Sequence, residues 1–361
     1  MSQDSLLKVR QEIDKIDKNI LHLLNQRAKI AQIVADIKTK TKNNNFYRPE
    51  REAMVLDKIS KLNAGPLSDE SVRILFREIM SVCLALEQPM QIGFLGPVGT
   101  FTHAAAIKHF GHAGITHAYN SINAVFAAVA VDNINYGVVP IENSTEGVVT
   151  HTLDSFVESQ VQIISEVTVR VEHNFATAKN NKQQQKITKI YSHQQSFAQC
   201  RAWLEEFYPN IEKFTVSSNS IAAKKASAEP NTAAITSKTA ADIYNLQIMN
   251  SNIEDNSNNT TRFLIIGKQK VAPSNNDKTS ILLATKHEAG ALYKLLQPLH
   301  ANNVDMTRIE SRPLKSSLWQ YLFFIDIKGH QEDKNVKTAL DILKTQSTMF
   351  KIIGSYPVSV L

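Results

Sequence analysis

Apolar residues recur at helical spacing across residues 5 to 40. Leu6, Val9, Ile13, Ile16, Ile20, Leu23, Leu24, Ile30, Val34 and Ile37 carry the stripe, and no Pro or Gly interrupts it. One long amphipathic helix is predicted. Pro49 opens a second helix, with Glu50 near its positive end, and that helix ends near Ala64-Gly65-Pro66. Ser68 caps a third, which runs through Val72, Leu75, Ile79, Val82 and Leu86 and stops at Pro89. Residues 1–90 therefore read as an all-α module without a compact core of its own. A dimer that interleaves the long helices would supply one.

The pattern changes at Gln91. Ile92 to Gly96, Tyr136 to Asn143, Ile187 to His193 and Phe263 to Ile266 read as strands. Helices are expected from Phe101 to Phe110, and again through Phe197, Cys200, Trp203 and Leu204. Alternation of strand and helix implies an α/β domain over residues 91–270, with small polar residues at strand ends, where such sheets bind ligands. A polar linker, Ser274-Asn275-Asn276-Asp277, follows. Residues 278–361 then run strand (280–285), helix (289–300), strand (306–311), strand (321–327), helix (336–344), strand (351–356). That βαββαβ order is the ferredoxin-like plan.

Composition narrows the function classes. A chain of 361 residues with 43% hydrophobic and 20% charged positions suits an ordinary soluble protein of two or three domains. The net charge of +6 is dispersed. Its densest patch, Lys38 to Lys42, is short and holds no aromatic residue, so small anions are expected as partners and nucleic acid is not. With only Cys83 and Cys200, no disulfide framework or zinc cluster is implied. The first residues lack an apolar secretory core and no run is long enough to span a bilayer, so a cytoplasmic protein without membrane contact is the expectation.

Two places invite chemistry. Arg27 interrupts the stripe of the first helix, and Lys38 follows at almost the same angle, roughly 16 Å along the axis. Between them they can hold one small dianion. Arg10 lies roughly 25 Å before Arg27 and reaches that ligand only from an antiparallel partner chain. Cys83 and Glu87 share a face of the third helix. The second place is Thr261-Arg262-Phe263, a hydroxyl and a guanidinium at the mouth of a strand, which suits a carboxylate ligand that also receives a proton.

Together with Arg48-Pro49-Glu50-Arg51-Glu52, the helical positions resemble the all-helical chorismate mutase family over residues 5 to 88. The resemblance implies that Arg27, Lys38, Arg48, Glu52, Cys83 and Glu87, with Arg51 nearby and Arg10 from the other subunit of a homodimer, line a chorismate pocket. The rearrangement of chorismate to prephenate needs no nucleophile and no cofactor. It rests on holding the compact conformer and on a cation, Lys38, at the ether oxygen. Three positions depart from the familiar pattern. Arg48 stands in place of an acid, Cys83 in place of a hydroxyl residue, and Glu87 in place of a Gln that donates to the ether oxygen. A carboxylate donates there only when protonated.

Gly93-Phe94-Leu95-Gly96-Pro97-Val98-Gly99-Thr100-Phe101-Thr102-His103, then Val139 to Ser144, then Tyr191-Ser192-His193 with Gln199, then Thr261-Arg262-Phe263 are similar, in that order, to prephenate dehydratase over residues 92 to 267. The resemblance implies two α/β lobes around a cleft, like periplasmic binding proteins, with prephenate held by Asn143, Ser144, Ser192, Gln199, Thr261 and Arg262, and with Thr261 essential. Arg262 and backbone N–H groups at helix starts near Thr100 and Asn143 are expected to bind a carboxylate. Glu142 or His193 is expected to feed a proton to Thr261. In the tail, Gly290-Ala291-Leu292 and Glu310-Ser311-Arg312-Pro313 resemble the phenylalanine-binding motifs of a regulatory ACT domain. That implies feedback inhibition by L-phenylalanine bound between paired domains. No metal is called for. The rival readings are a non-enzymatic two-lobed anion sensor, and an enzyme with one dead site, the departures at Arg48, Cys83 and Glu87 pointing to the mutase.

Overall fold

A computed structural model gives the fold and describes residues 3–41, 46–179, 187–285, 288–313 and 321–359; Lys42 of the basic patch lies outside them. The helical module is α1 (Gln3–Lys40), α2 (Pro49–Leu62) and α3 (Asp69–Glu87). Pro49 sits in the first turn of α2, and the Ser68 side chain accepts from the Ser71 N–H to cap α3. The α1 stripe is not covered within the chain: Leu6, Val9, Ile13, Ile16 and Ile20 are each at least half exposed. Arg77 of α3, ion-paired to Glu52, donates to the His109 carbonyl, and Tyr47 meets the His109 ring at 2.7 Å. These bonds fix the module to the α/β region.

That region holds two lobes. The first contains β1 (Gln91–Leu95), α4 (Phe101–Phe110), β2 (Ile115–Tyr119), α5 (Ile122–Ala130), β3 (Tyr136–Asn143), β4 (Gly147–Val148), α6 (Thr150–Glu158) and β5 (Gln162–Arg170). The chain then crosses to the second lobe, made of β6 (Asn174–Ala178), β7 (Lys189–Ser192), α7 (Gln194–Gln199), α8 (Arg201–Phe207), β8 (Glu212–Thr215), α9 (Asn219–Ala228), β9 (Thr232–Thr236), α10 (Lys238–Ile243) and β10 (Leu246–Asn250). It returns in β11 (Thr260–Gly267), which lies between β3 and β5 in the first sheet, order β2-β1-β3-β11-β5. The second sheet runs β10-β6-β9-β7-β8. The single helix expected through Cys200 is two, broken at Cys200, whose backbone leaves helical geometry at φ −118°, ψ 25°.

The tail is β12 (Asp277–Thr285), α11 (Ala291–Ala301), β13 (Met306–Pro313), β14 (Tyr321–Lys328), α12 (Lys334–Gln346) and β15 (Met349–Pro357). Its antiparallel sheet has the order β13-β14-β12-β15, so β13 is an edge. One hydrophobic core passes through both regions, from Phe126, Phe156 and Leu264 to Leu282, Phe324 and Tyr356. The tail approaches so closely that a Cβ on Gly354 would stand 2.3 Å from the Ile163 carbonyl oxygen. Only glycine fits there. No helix among the described residues is long and apolar enough to cross a membrane.

Candidate active sites

A cavity of about 390 Å³ opens between the three helices of the first module. Arg27, Lys38, Arg48, Arg51, Glu52, Cys83 and Glu87 all line it. Lys38 Nζ donates to the Phe46 carbonyl at 3.0 Å and stands 3.5 Å from Glu87 Oε2. The carboxylate of Glu52 is already paired to Arg77, and Arg48 turns to Glu50 at 2.7 Å. Arg10 does not line this cavity, because it sits far along α1 toward the helix start.

A second cavity, about 350 Å³, lies between the lobes. Thr261 reaches it from β11, next to Asn143 across the β3–β11 ladder. The Asn143 side chain is tied at both ends. Its Oδ1 accepts from the Thr145 and Glu146 N–H groups at 2.9 and 3.0 Å, and its Nδ2 donates to Thr261 Oγ1 and to Asn259 Oδ1, each at 2.8 Å. The Thr261 oxygen is thus an acceptor for Asn143, which leaves its own O–H to donate elsewhere. Gln199 Nε2 donates to Glu146 at 3.3 Å, so the Gln199 oxygen accepts from His173 Nε2 at 2.7 Å. Burial depresses the pKa of His173 despite that bond, and the ring is a neutral wall.

Four helices begin at this cavity. Thr100, His193, Ser218 and Ser237 cap α4, α7, α9 and α10 through their side chains, and all four line it. None of the described residues lining the cavity is Lys or Arg. Negative charge here meets the positive ends of helices, chiefly the longer α4 and α9. Gly99 (φ +90°) lets the loop before α4 dock on the second lobe, where a Cβ would stand 3.0 Å from Ala240 and 3.1 Å from Ser220 Oγ. Ser237 Oγ donates to the Gly99 carbonyl at 3.0 Å.

Several sequence expectations need correcting. Arg262 does not face the cavity. Successive strand residues point to opposite faces, so with Thr261 inward Arg262 turns to the tail. There its Nε meets Glu166 at 2.7 Å, Nη1 meets Asp326 at 2.8 Å and Nη2 meets Tyr356 Oη at 3.0 Å. Burial opposes its charge, but Tyr356, Asp326 and Glu166 outweigh that and push its pKa up. Glu142, opposite Arg262 in the ladder, also faces the tail and pairs with Arg308 at 3.1 Å. It is no proton source for Thr261. Ser192 is buried beneath the cavity, donating to Asn219 and the Ile235 carbonyl. Ser144 is spent on the neighbouring strand, accepting from the Thr260 N–H at 3.0 Å. The helix start expected at Asn143 is a β3–β4 hairpin whose N–H groups serve Asn143 itself.

In the tail, Gly290 precedes α11 with φ +79° and no side chain caps the helix, while half-buried Ala291 and exposed Leu292 begin its first turn. Glu310, Ser311 and Pro313 lie on the edge strand β13. Arg312 instead donates to the Thr150 carbonyl at 2.8 Å and pairs with Asp154 at 2.9 Å. Among the described residues no His, Cys, Asp and Glu cluster suits a metal ion.

The comparisons fall on the same two cavities. A family model for chorismate mutase type II matches residues 9–88, and one for prephenate dehydratase matches residues 92–271. A bifunctional chorismate mutase/prephenate dehydratase of Pseudomonas aeruginosa is 50% identical over 363 residues, 99% of each chain. This chain belongs to the bifunctional chorismate mutase/prephenate dehydratase family. It is an enzyme with both activities, which sets aside the non-enzymatic sensor. A relative of that name from Aquifex aeolicus is 41% identical over 99% of each chain. Among solved structures, a prephenate dehydratase from Arthrobacter aurescens in complex with L-Phe has a TM-score of 0.67 at 31% identity, covering 74% of this chain and 90% of that one. Another, described as a novel type of quorum quenching acylase, has a TM-score of 0.68 at 28% identity, covering 75% and 98%.

Sequence reasoning missed Glu146, His173, Ser218 and Ser237. The only signal for the serines was N-cap chemistry before short Ala-rich runs, and nothing in the sequence says that those helix starts converge.

Proposed function

We propose that the two steps are divided between the two cavities, that a second copy of the chain completes the mutase cavity, and that phenylalanine acts on the dehydratase through residues 278–361. The mutase module spans 1–90 and the dehydratase 91–270. The observation that carries the dehydratase assignment is the Thr261 hydroxyl, fixed as a donor by Asn143, in a cavity of helix starts with no Lys or Arg among its described lining residues.

Prephenate must lose carbon dioxide and its ring hydroxyl. Helix-start N–H groups bind the pyruvyl carboxylate. A Lys or Arg on the departing carboxylate would stabilise the ground state and slow its loss, and the described residues of the cavity offer none. The Thr261 O–H meets the departing oxygen. With Glu142 facing the tail, His193 remains to replenish that proton. Its Nδ1 accepts from the Gln195 N–H, which leaves Nε2 as the nitrogen that takes up a proton from solvent and, as imidazolium, passes it to Thr261. Thr261→Val should lower dehydratase kcat by about a hundredfold or more and make the chain release prephenate from chorismate. Undiminished phenylpyruvate formation would refute the assignment.

In the mutase cavity Arg27 and Lys38 hold the carboxylates and ether oxygen of chorismate, with Arg10 arriving from the partner. The uncovered α1 stripe is the dimer surface. Mixing inactive Arg10→Ala and Arg27→Ala chains should restore activity; mixtures that stay dead would refute a shared site. For phenylalanine, the open start of α11 suits a carboxylate, and the edge strand β13 suits pairing with a second tail domain of the ACT type. The L-Phe complex of the Arthrobacter relative supports this reading. An unaltered dehydratase rate at saturating phenylalanine would refute it.

A further inference from the structure

The hairpin that walls the dehydratase cavity is weakly held by its own ladder. β4 is two residues long and meets β3 only at Glu142–Val148 and Asn143–Gly147, and so short a pairing has little stability of its own. Yet Asn143, Glu146, Gly147, Val148 and Val149 line the cavity, and Asn143 orients Thr261. Catalysis of this kind tolerates about 1 Å of misplacement poorly. Something outside the hairpin has to hold it.

β11 and the residue before it hold the tip through Ser144 and Asn143; the holders of the two ends come from the tail. Arg308 and Arg312 are four residues apart on β13, hence on one face of the strand, roughly 13 Å from one to the other. Arg308 Nε stands 3.1 Å from Glu142, at the start of the hairpin. Arg312 Nη1 donates to the Thr150 carbonyl at 2.8 Å and pairs with Asp154 at 2.9 Å, at its end. The two arginines bracket the cavity-lining segment. Arg308 also sits in the field of Asp326, whose carboxyl would be raised by burial but is held below the usual range by Arg262, by hydrogen bonds and by Arg308. The residue behind Thr261 and the residue behind Asn143 are thus tied to one buried carboxylate.

Arg308 differs from Arg262 in a telling respect. Each of the three Arg262 nitrogens has a partner, as in a purely structural rivet. Arg308 Nη2 is buried with no partner among the described residues. An unpaired buried donor costs stability, and its retention fits a group placed for what it positions.

We propose that Arg308 and Arg312 are positioning residues of the dehydratase, clasping from β13 the two ends of the 142–150 hairpin that carries Asn143 and Glu146. The proposal rests on prephenate occupying the cavity between the lobes. It is tested on the full chain by steady-state turnover of prephenate, with turnover of chorismate by the same chain as the control for folding. Arg308→Met should lower dehydratase kcat at least tenfold with KM changed less than threefold and chorismate turnover within twofold. Arg308→Lys should recover most of the lost rate. Glu142→Gln should reproduce the loss, and the double variant should be no slower than Arg308→Met alone. Unchanged dehydratase in Arg308→Met, or losses that multiply in the double variant, would overturn the proposal. Should Arg308→Met lose chorismate turnover as well, Glu142→Gln and Arg312→Lys carry the test, and normal dehydratase kcat in both would overturn it. A Thr261→Val chain that keeps full dehydratase activity removes the cavity assignment itself, whatever the β13 variants do.

Discussion

Replacing Arg262 by Met separates a substrate ligand from a rivet. In the folded chain the guanidinium satisfies Glu166, Asp326 and Tyr356 from a largely buried site. Methionine leaves two carboxylates in a dry environment. Glu166 keeps Lys278 at 2.9 Å, and Asp326 keeps the Ser280 hydroxyl at 2.6 Å. Removing one member of a buried ion pair costs about 3–5 kcal/mol. The surviving partners favour the lower end, about 3 kcal/mol, or more than a hundredfold in the unfolding equilibrium constant. Urea unfolding followed by tryptophan fluorescence should show that loss, while chorismate turnover before the transition stays normal. Arg262→Lys should lose roughly half as much, since an ammonium cannot span three partners in fixed geometry. A different outcome would refute the reasoning: stability within about 1 kcal/mol of the parent, with KM for prephenate raised tenfold at constant kcat. That pattern would put the guanidinium on the substrate.

Three further outcomes are expected. Glu87→Gln should raise chorismate turnover, because an amide donates to the ether oxygen whereas a carboxylate paired with Lys38 does not; unchanged turnover would exclude this role for Glu87. Gly99→Ala should lower dehydratase turnover about tenfold, because a side chain at φ +90° costs about 1–2 kcal/mol and presses on Ala240 and Ser220 where the lobes meet; wild-type turnover would show that the lobes need not approach there. Asp326 titrates below its ordinary range, so its contribution to stability is full above an unfolded carboxylate pKa of about 3.9 and is lost as pH falls through its lower folded value. Asp326→Asn should therefore shrink the difference in unfolding midpoint between pH 7 and pH 3, and an unchanged difference would contradict the ion pairing.

Much of the architecture was legible because it is local. Proline at the first turn of α2, serine at the cap of α3 and the unbroken stripe of α1 each act within a few residues. In the helical cavity, angular position decides that Arg27 and Lys38 share a face and that Cys83 and Glu87 share another. That three helices bring these faces together with Arg48, Arg51 and Glu52 was implied only by the family resemblance. The dehydratase cavity was legible only in part. That Thr261 and Arg262 face opposite ways follows from strand geometry alone, but the destination of Arg262 depends on Glu166 and Asp326, 96 and 64 residues away in sequence. Nothing local specifies that α4, α9 and α10 aim their starts at one point. The second lobe was faint because its central strand, Thr232–Thr236, is Ala-rich and short, and resembles the helices around it in composition.

The glycine at 354 has a consequence for how the molecule comes apart. With no room for a side chain between β15 and β5, and with a core continuous from Phe156 to Tyr356, the linker near residue 274 marks a boundary of topology but not of cooperativity. Calorimetry should show residues 92–357 melting as a single unit, together with the part of the helical module that Tyr47 and Arg77 anchor to it. Deleting the tail would strip a face from the dehydratase core and leave an insoluble remnant. A domain welded on in this way has no hinge to swing about. Under the proposed phenylalanine control, any influence on turnover must travel as fractions of an ångström along the strands themselves.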